Sequence, residues 1–201
     1  MLNLNDVLVL TADQIQIIRS FGPLTVDHWK RNEIKLRKAI RCKLKSMQKN
    51  LCVYCGCRVW DDGDVEHIVH KAAYPEFLFT PLNLAFACKV CNQTYKGDKD
   101  VVSAAGTSYA TYQFKIVHPY IDDVDHFFDT TKLRIQIRPG LNSEEEKRAK
   151  TTSDLLHWEE PEVVCRRAAE AMAQKYMEEH ETSISEEIIR DTLIYKPIEI
   201  K

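Results

Sequence analysis

Two pairs of cysteines, Cys52-x-x-Cys55 and Cys88-x-x-Cys91, constrain this chain more than any other feature. Four thiolates in two such pairs suit one tetrahedral zinc ion and leave no open coordination position. A closed site of that kind staples a fold and does not catalyse, so any chemistry lies in what the staple holds. Cys57 is a spare sulfur, either non-ligating or in competition with Cys55. Cys42 and Cys165 read as small helix-core residues. Seven cysteines in 201 residues, arranged as two pairs plus singles, point to a reducing compartment and a metal site.

Between and beside the pairs lie Glu66-His67-Ile68, Asn83-Leu84, Asn92 and Lys96. Asp62-Gly63 is a strong turn signal, and 64–68 alternates polar with apolar residues. That pattern predicts a short hairpin whose second strand carries Glu66 and His67. A loop with Pro75 and Pro81 follows, and 83–87 can form a second strand. The run 89–96 is helix-compatible and stops naturally at Gly97, with Asn92 and Lys96 on one face. Strand, strand and helix in this order give a ββα unit with a polar centre.

These residues, in this order and spacing, resemble the HNH endonucleases of the ββα-metal (His-Me finger) fold. The nearest likeness is to the four-cysteine, zinc-stapled subgroup found among bacterial defence- or restriction-associated enzymes. The final motif position is Asn92, which makes this an H-N-N version. The resemblance implies an α+β protein: a zinc-stapled ββα core flanked by N- and C-terminal helices. It also implies metal-dependent hydrolysis of DNA phosphodiester bonds, with His67 as the general base that activates water. Neutral imidazole suits that task because it titrates near physiological pH. By the same analogy Asn83 holds the imidazole through its amide oxygen. Glu66 and Asn92 offer hard oxygen ligands to a catalytic Mg²⁺ or Mn²⁺. Lys96 would contact a flanking phosphate. Asp64 could replace Glu66 if the strand register slips. His70 is either a second metal or phosphate contact or a solvated loop histidine, and Asn83 could be only a turn residue. RNA remains open as a substrate, and a double-strand break would need a homodimer or repeated nicking. The resemblance further implies a partner such as the ATPase of an anti-phage system. The competing expectation is a catalytically silent zinc module that binds nucleic acid or bridges proteins.

A net charge of −2 hides a strong polarity along the chain. From His28 to Trp60 ten Lys or Arg residues face one acid, Glu33, whereas from Asn142 onward fifteen acids face nine bases. Ile34, Leu36, Ile40, Leu44 and Met47 fall mostly at helical spacing, which predicts an amphipathic helix over roughly 26–49. Lys35, Lys38, Arg41 and Lys45 on it are candidate phosphate contacts, against the plainer reading of a solvated basic face.

The expected organisation is an N-terminal helical region (1–50), the nuclease-like core (51–100) and a mixed, then helical, extension (101–201) that offers a partner-binding surface. Within the extension, 132–138 reads as a strand, and 144–150, 162–179 and 183–193 as helices. Val163, Ala169, Met172 and Tyr176 share one side of the second of these helices. His118, Asp122, Asp123, Asp125 and His126 could imitate a second metal cluster, though a polar loop capping the core fits them better. At 44% hydrophobic and 29% charged residues the composition is that of a water-soluble domain. With no signal-peptide pattern and no apolar run of membrane length, a cytoplasmic location is expected.

Overall fold

The central hairpin is formed by β1 (Asp64–His67) and β2 (Leu84–Ala87), paired antiparallel with Glu66 opposite Ala85 and His67 opposite Leu84. A computed structural model describes residues 1–31, 34–59 and 62–180. The hairpin expected around Asp62-Gly63 is not the one formed. The backbone before that turn is already committed to the first cysteine knuckle: Cys52 N–H donates to the Cys57 carbonyl (2.9 Å) and Val59 N–H to that of Asn50 (2.7 Å). β1 therefore pairs across the long loop 68–83. All four residues of β2 are buried, as its unbroken Leu-Ala-Phe-Ala run requires.

Helix α1 (Ala12–Ser20) starts at a Thr11–Gln14 capping box. The basic stretch contains α2 (Val26–Arg31) and α3 (Ile34–Met47). Leu36, Ile40 and Leu44, four apart, turn one face of α3 onto the hairpin and are buried. Each contributes about 1.5–3 kcal/mol of hydrophobic stabilisation. One turn further on, the Gln48 amide takes both backbone groups of Phe86. It accepts from the Phe86 N–H (2.7 Å) and donates to the carbonyl (2.8 Å), completing the free edge of β2.

After β2 the chain forms one wide, π-helical stretch, Val90–Lys96, closed by Gly97 at φ +54°. Two further antiparallel pairs follow: β3 (Val102–Ala104) with β4 (Gln113–Phe114), and β5 (Phe128–Asp129) with β6 (Gln136–Ile137). The strand expected over 132–138 is thus cut to two residues. Arg167 explains this, because its guanidinium takes the carbonyls of Thr130, Lys132 and Leu133, each at 2.8 Å.

Helices α4 (Val124–Phe127), α5 (Ser143–Leu155) and α6 (Pro161–Glu179) complete the described chain. The helix expected over 183–193 lies outside the described residues. Asn142 and Glu145 form a second capping box at the start of α5. On α6 Val163 is buried but Met172 is 73% exposed, so the apolar side read from the sequence does not pack along its length. One apolar core runs from Leu36 and Leu44 through Tyr54 and Phe86 to Phe128, Trp158 and Val163. A smaller one gathers Ile68, Val69, Val102, Tyr109 and Phe114. The result is an α+β fold of helices and small antiparallel sheets. Among the described residues no helix is long and apolar enough to cross a membrane.

Gly63 shows how tightly the turn before β1 is packed. A Cβ there would lie 2.4 Å from Cζ of Phe86 and 2.6 Å from Cγ1 of Val59. Gly63→Ala is therefore expected to lower stability by about 1–3 kcal/mol, the usual consequence of overpacking. Urea denaturation checks this, and an unchanged midpoint would contradict it.

Candidate functional site

Cys52 and Cys55 sit in a tight turn before the hairpin. Cys88 directly follows β2, and Cys91 lies in the first turn of the π-helical stretch. The hairpin thereby brings the two pairs together: the four sulfurs lie within 4.8 Å of one another, all are buried, and none is in a disulfide. Tetrahedral zinc–thiolate bonds of about 2.3 Å place sulfurs a little under 4 Å apart, which this cluster can meet. The surroundings of Cys88 suit ionised sulfur. The Cys91 N–H points at Cys88 Sγ (3.5 Å) and Arg166 Nη1 lies 3.9 Å from it. Hydrogen bonding from Cys52 lowers the Cys88 thiol to about 7. Arg167 holds the Cys55 carbonyl. The four cysteines can hold one zinc ion, and Cys57, half-buried beside the Cys55 carbonyl, stays outside the set.

Beside this cluster is a buried polar centre. Lys96 is only 1% exposed, and its ammonium donates to the His67 carbonyl (2.8 Å) and the Gly97 carbonyl (3.3 Å) and pairs with Glu66 Oε1 (3.1 Å). The Tyr54 hydroxyl, from inside the first cysteine turn, donates to the same Glu66 oxygen (2.9 Å). The expectation that Lys96 contacts a flanking phosphate is thus corrected. The helix turns it inward against β1, where the Glu66 carboxylate neutralises it. Burial raises the affinity of Glu66 for its proton, opposed by the charge of Lys96.

His67 is also buried, 4% exposed, with its ring edge-on to Trp29 of α2 at 4.5 Å between centroids. Its Nε2 lies 3.1 Å from the Leu78 carbonyl. A carbonyl only accepts, so Nε2 carries the proton and Nδ1 the lone pair. Burial, reinforced by the nearby Lys71 ammonium, lowers its pKa to about 3, so the ring is neutral at physiological pH. Asn83 does not hold this imidazole. Its oxygen accepts from the Val69 N–H (2.7 Å) and the Tyr109 hydroxyl (2.9 Å), and its nitrogen donates to the carbonyls of Val69 (3.3 Å) and Phe77 (3.0 Å). The distance in sequence between β1 and Asn83 is bridged by backbone, and Leu78 takes the role analogy gave to the Asn83 side chain.

Asn92, half-buried, donates to the Val65 carbonyl (3.4 Å), which sets it against the same strand. Asp64 is exposed and turns back on the Val65 N–H (2.8 Å), so the register does not exchange it for Glu66. His70 follows the strand, half-buried, its pKa lowered by burial. Among the described residues, the four cysteines are the only group of three or more Cys, His, Asp or Glu side chains close enough together to hold an ion. Of the candidate phosphate contacts on α3, Lys35 and Lys38 are exposed and Lys45 is half-buried. Arg41 is engaged in the fold, donating to the Gly63 carbonyl (2.6 Å) and lying over the Phe86 ring.

The acid-rich stretch after His118 caps the core. Asp122 accepts from the His118 N–H (2.6 Å) and pairs with Arg148, Asp123 caps α4, and His126 meets Glu145 at 3.2 Å. Sequence reasoning missed Tyr54, Tyr109, Arg166 and Arg167. Tyr54, lying between two paired cysteines, was the one with a local signal.

The chain is 29% identical over 129 residues to Septu protein PtuB of Bacillus thuringiensis, a match spanning 63% of this chain and 43% of that protein. It is 34% identical over 77 residues to protein ea31 of Escherichia phage lambda, spanning 38% of this chain and 23% of that protein. The chain thus spans less than half the length of either curated relative. No protein-family model matches it.

Two expectations follow from this chemistry. Purified protein should carry about one zinc per chain by elemental analysis, and stripping it with a strong chelator should abolish cooperative thermal unfolding, because structural zinc sites supply folding free energy. Metal-free protein with an unchanged melting curve would contradict the staple. The second concerns His118, whose burial lowers its pKa to about 3. The unfolded chain, with a histidine near 6.5, takes up the proton first, so this stabilisation is complete above about pH 6.5 and is lost as pH falls towards 3. Going from pH 7.5 to 5 should cost about 2 kcal/mol through this residue. Urea titrations at both pH values check it, and a His118→Phe chain should show a shallower acid dependence.

Proposed function

We propose that the chain is a metal-dependent endonuclease of the HNH type that hydrolyses DNA phosphodiester bonds, acting in bacterial anti-phage defence. The observation that carries this reading is that one strand–strand–helix unit beside a four-thiolate cluster carries a neutral His67 together with Glu66 and Asn92. His67 Nδ1 would take the proton of the attacking water while the Leu78 carbonyl keeps hold of Nε2–H and stabilises the imidazolium that results. A phosphodiester entering beside the ring adds negative charge, which raises its proton affinity from the resting value of about 3.

Glu66 and Asn92 would hold Mg²⁺ or Mn²⁺, which when bound polarises the phosphate and stabilises the leaving oxygen. One carboxylate and one amide form a small donor set, as Mg²⁺ accepts because it keeps several of its waters. The exposed Lys35 and Lys38 are placed to follow the phosphate backbone, with salt-sensitive affinity. The similarity to a Septu protein supports a defence setting, and the resemblance to defence-associated HNH enzymes suggests a partner such as an ATPase. A homodimer of such cores would supply double-strand cleavage.

A second reading rests on the depth of the site. With His67 and Lys96 both buried, the chain could instead be a silent zinc module that binds nucleic acid or bridges proteins. Supercoiled plasmid with Mg²⁺ or Mn²⁺ separates the two. Wild type should produce nicked or linear DNA, and His67→Ala should be slower by about 10²-fold or more. Equal cutting by both would overturn His67 as the base. DNA retained but uncut by both would support the silent module.

A further inference from the structure

A largely buried hydrogen-bond chain leads from His118 to the Phe77 carbonyl, one residue before the carbonyl that holds His67. His118 Nδ1 accepts from the Tyr120 N–H (3.2 Å), so its proton is on Nε2, which faces the Tyr109 hydroxyl at 3.0 Å. The hydroxyl accepts that proton's bond and spends its own on Asn83 Oδ1 (2.9 Å). Asn83 pairs with both backbone groups of Val69, which fixes which end of its amide is oxygen, and its nitrogen then holds the Phe77 carbonyl (3.0 Å). The next residue, Leu78, supplies the carbonyl that receives His67 Nε2–H. Each link has only one sense of donation.

Two contacts reinforce this chain. The Phe77 ring stands edge-on to Tyr109 at 4.9 Å, so Phe77 is gripped at both ring and carbonyl. Tyr120 reaches the other side of the hairpin, its hydroxyl donating to the carbonyl of Leu84 (2.8 Å), the residue paired with His67 in β2. Asn83 and His118 are fully buried, so loss of one link leaves polar atoms without water to replace it.

We propose that Tyr109 and His118 are positioning residues that, through Asn83 and the Phe77–Leu78 turn, fix His67 in the Nε2–H tautomer with Nδ1 left to accept a proton. The proposal deepens the nuclease reading and rests on it only for the consequence to rate, since the tautomer is measurable without any cleavage.

The test uses the full chain with ¹⁵N-labelled histidine and long-range ¹H–¹⁵N correlation spectra at fixed pH 7.5. Wild type should show His67 as a single Nε2–H tautomer. Tyr109→Phe keeps the ring and deletes the hydroxyl. It should raise the Nδ1–H population about fivefold, the factor that a lost net hydrogen bond corresponds to. Its plasmid cleavage should lose kcat with KM nearly unchanged. Thr152→Val removes another buried bond of the same region, to the Val117 N–H, and should lower stability while leaving the His67 spectrum as in wild type. His118→Phe breaks the chain one link earlier and serves if Tyr109→Phe does not fold; the same tautomer shift is expected. An unchanged His67 tautomer in a folded variant overturns the proposal. So does an equal shift in Thr152→Val, which would reduce the effect to general loosening. Absence of cleavage by wild type, with the tautomer shift present, would sink the nuclease reading and leave the positioning chain standing.

Discussion

The polar centre depends on the ammonium of Lys96. An ammonium has three N–H donors, and here three acceptors meet it: Glu66, the His67 carbonyl and the Gly97 carbonyl. That arrangement requires the π-helical stretch to lie hard against β1, because the buried ammonium is shut off from bulk solvent. Removing one partner of such a pair leaves a buried uncompensated charge and costs about 3–5 kcal/mol. Tyr54 adds a second donor to Glu66, and Tyr54 belongs to the first cysteine turn. Strand, helix and knuckle are therefore coupled through one carboxylate, independently of any ion in the thiolate cluster.

Charge also decides how α6 docks. A zinc ion with four thiolates carries a net charge of −2, and α6 brings Arg166 and Arg167 to that side of the molecule. Arg166 has two buried nitrogens, Nε and Nη2, without hydrogen-bond partners, so its contribution is an electrostatic one set by nearby sulfur. Burial lowers its pKa, but Cys55, Cys88 and Cys91 together outweigh that effect and raise it. Arg167 instead works through geometry, gathering carbonyls from the knuckle and from the segment before β6. Past these two residues and the Arg58–Glu170 pair, Met172 and Tyr176 emerge into solvent.

What could be read in the sequence was what is local. The cysteine pairs and the stop at Gly97 are each fixed by residues within a few positions. The burial of α3 followed from its four-residue spacing. The role of Lys96 was not legible, because a lysine four residues from Asn92 faces either solvent or core according to where the helix lands. The close approach of Phe86 leaves no room for a side chain at Gly63, yet the Asp62-Gly63 signal said nothing about which strand β1 would find. His118 gave no local sign of its role. Its partner Tyr109 and their common target Asn83 come from separate loops, and only the fold brings them within hydrogen-bond distance.

The burial that keeps His67 neutral also covers it, and the two effects can be weighed on the nuclease reading. The cover is aromatic: Trp29 stands on the ring, Phe79 lies 5.6 Å from Trp29, and Phe21 lies 5.9 Å from Phe79. Trp29 belongs to α2 and is itself buried, so uncovering the imidazole means exposing that side chain. Exposing one large apolar side chain costs about 1.5–3 kcal/mol, which corresponds to an open fraction of roughly one in ten to one in two hundred. Apparent substrate affinity falls by that same factor. Such a factor is small beside the roughly 10⁶-fold or greater accelerations enzymes achieve. The covered imidazole is thus compatible with catalysis, and its 4% exposure describes a resting site that substrate binding would have to open.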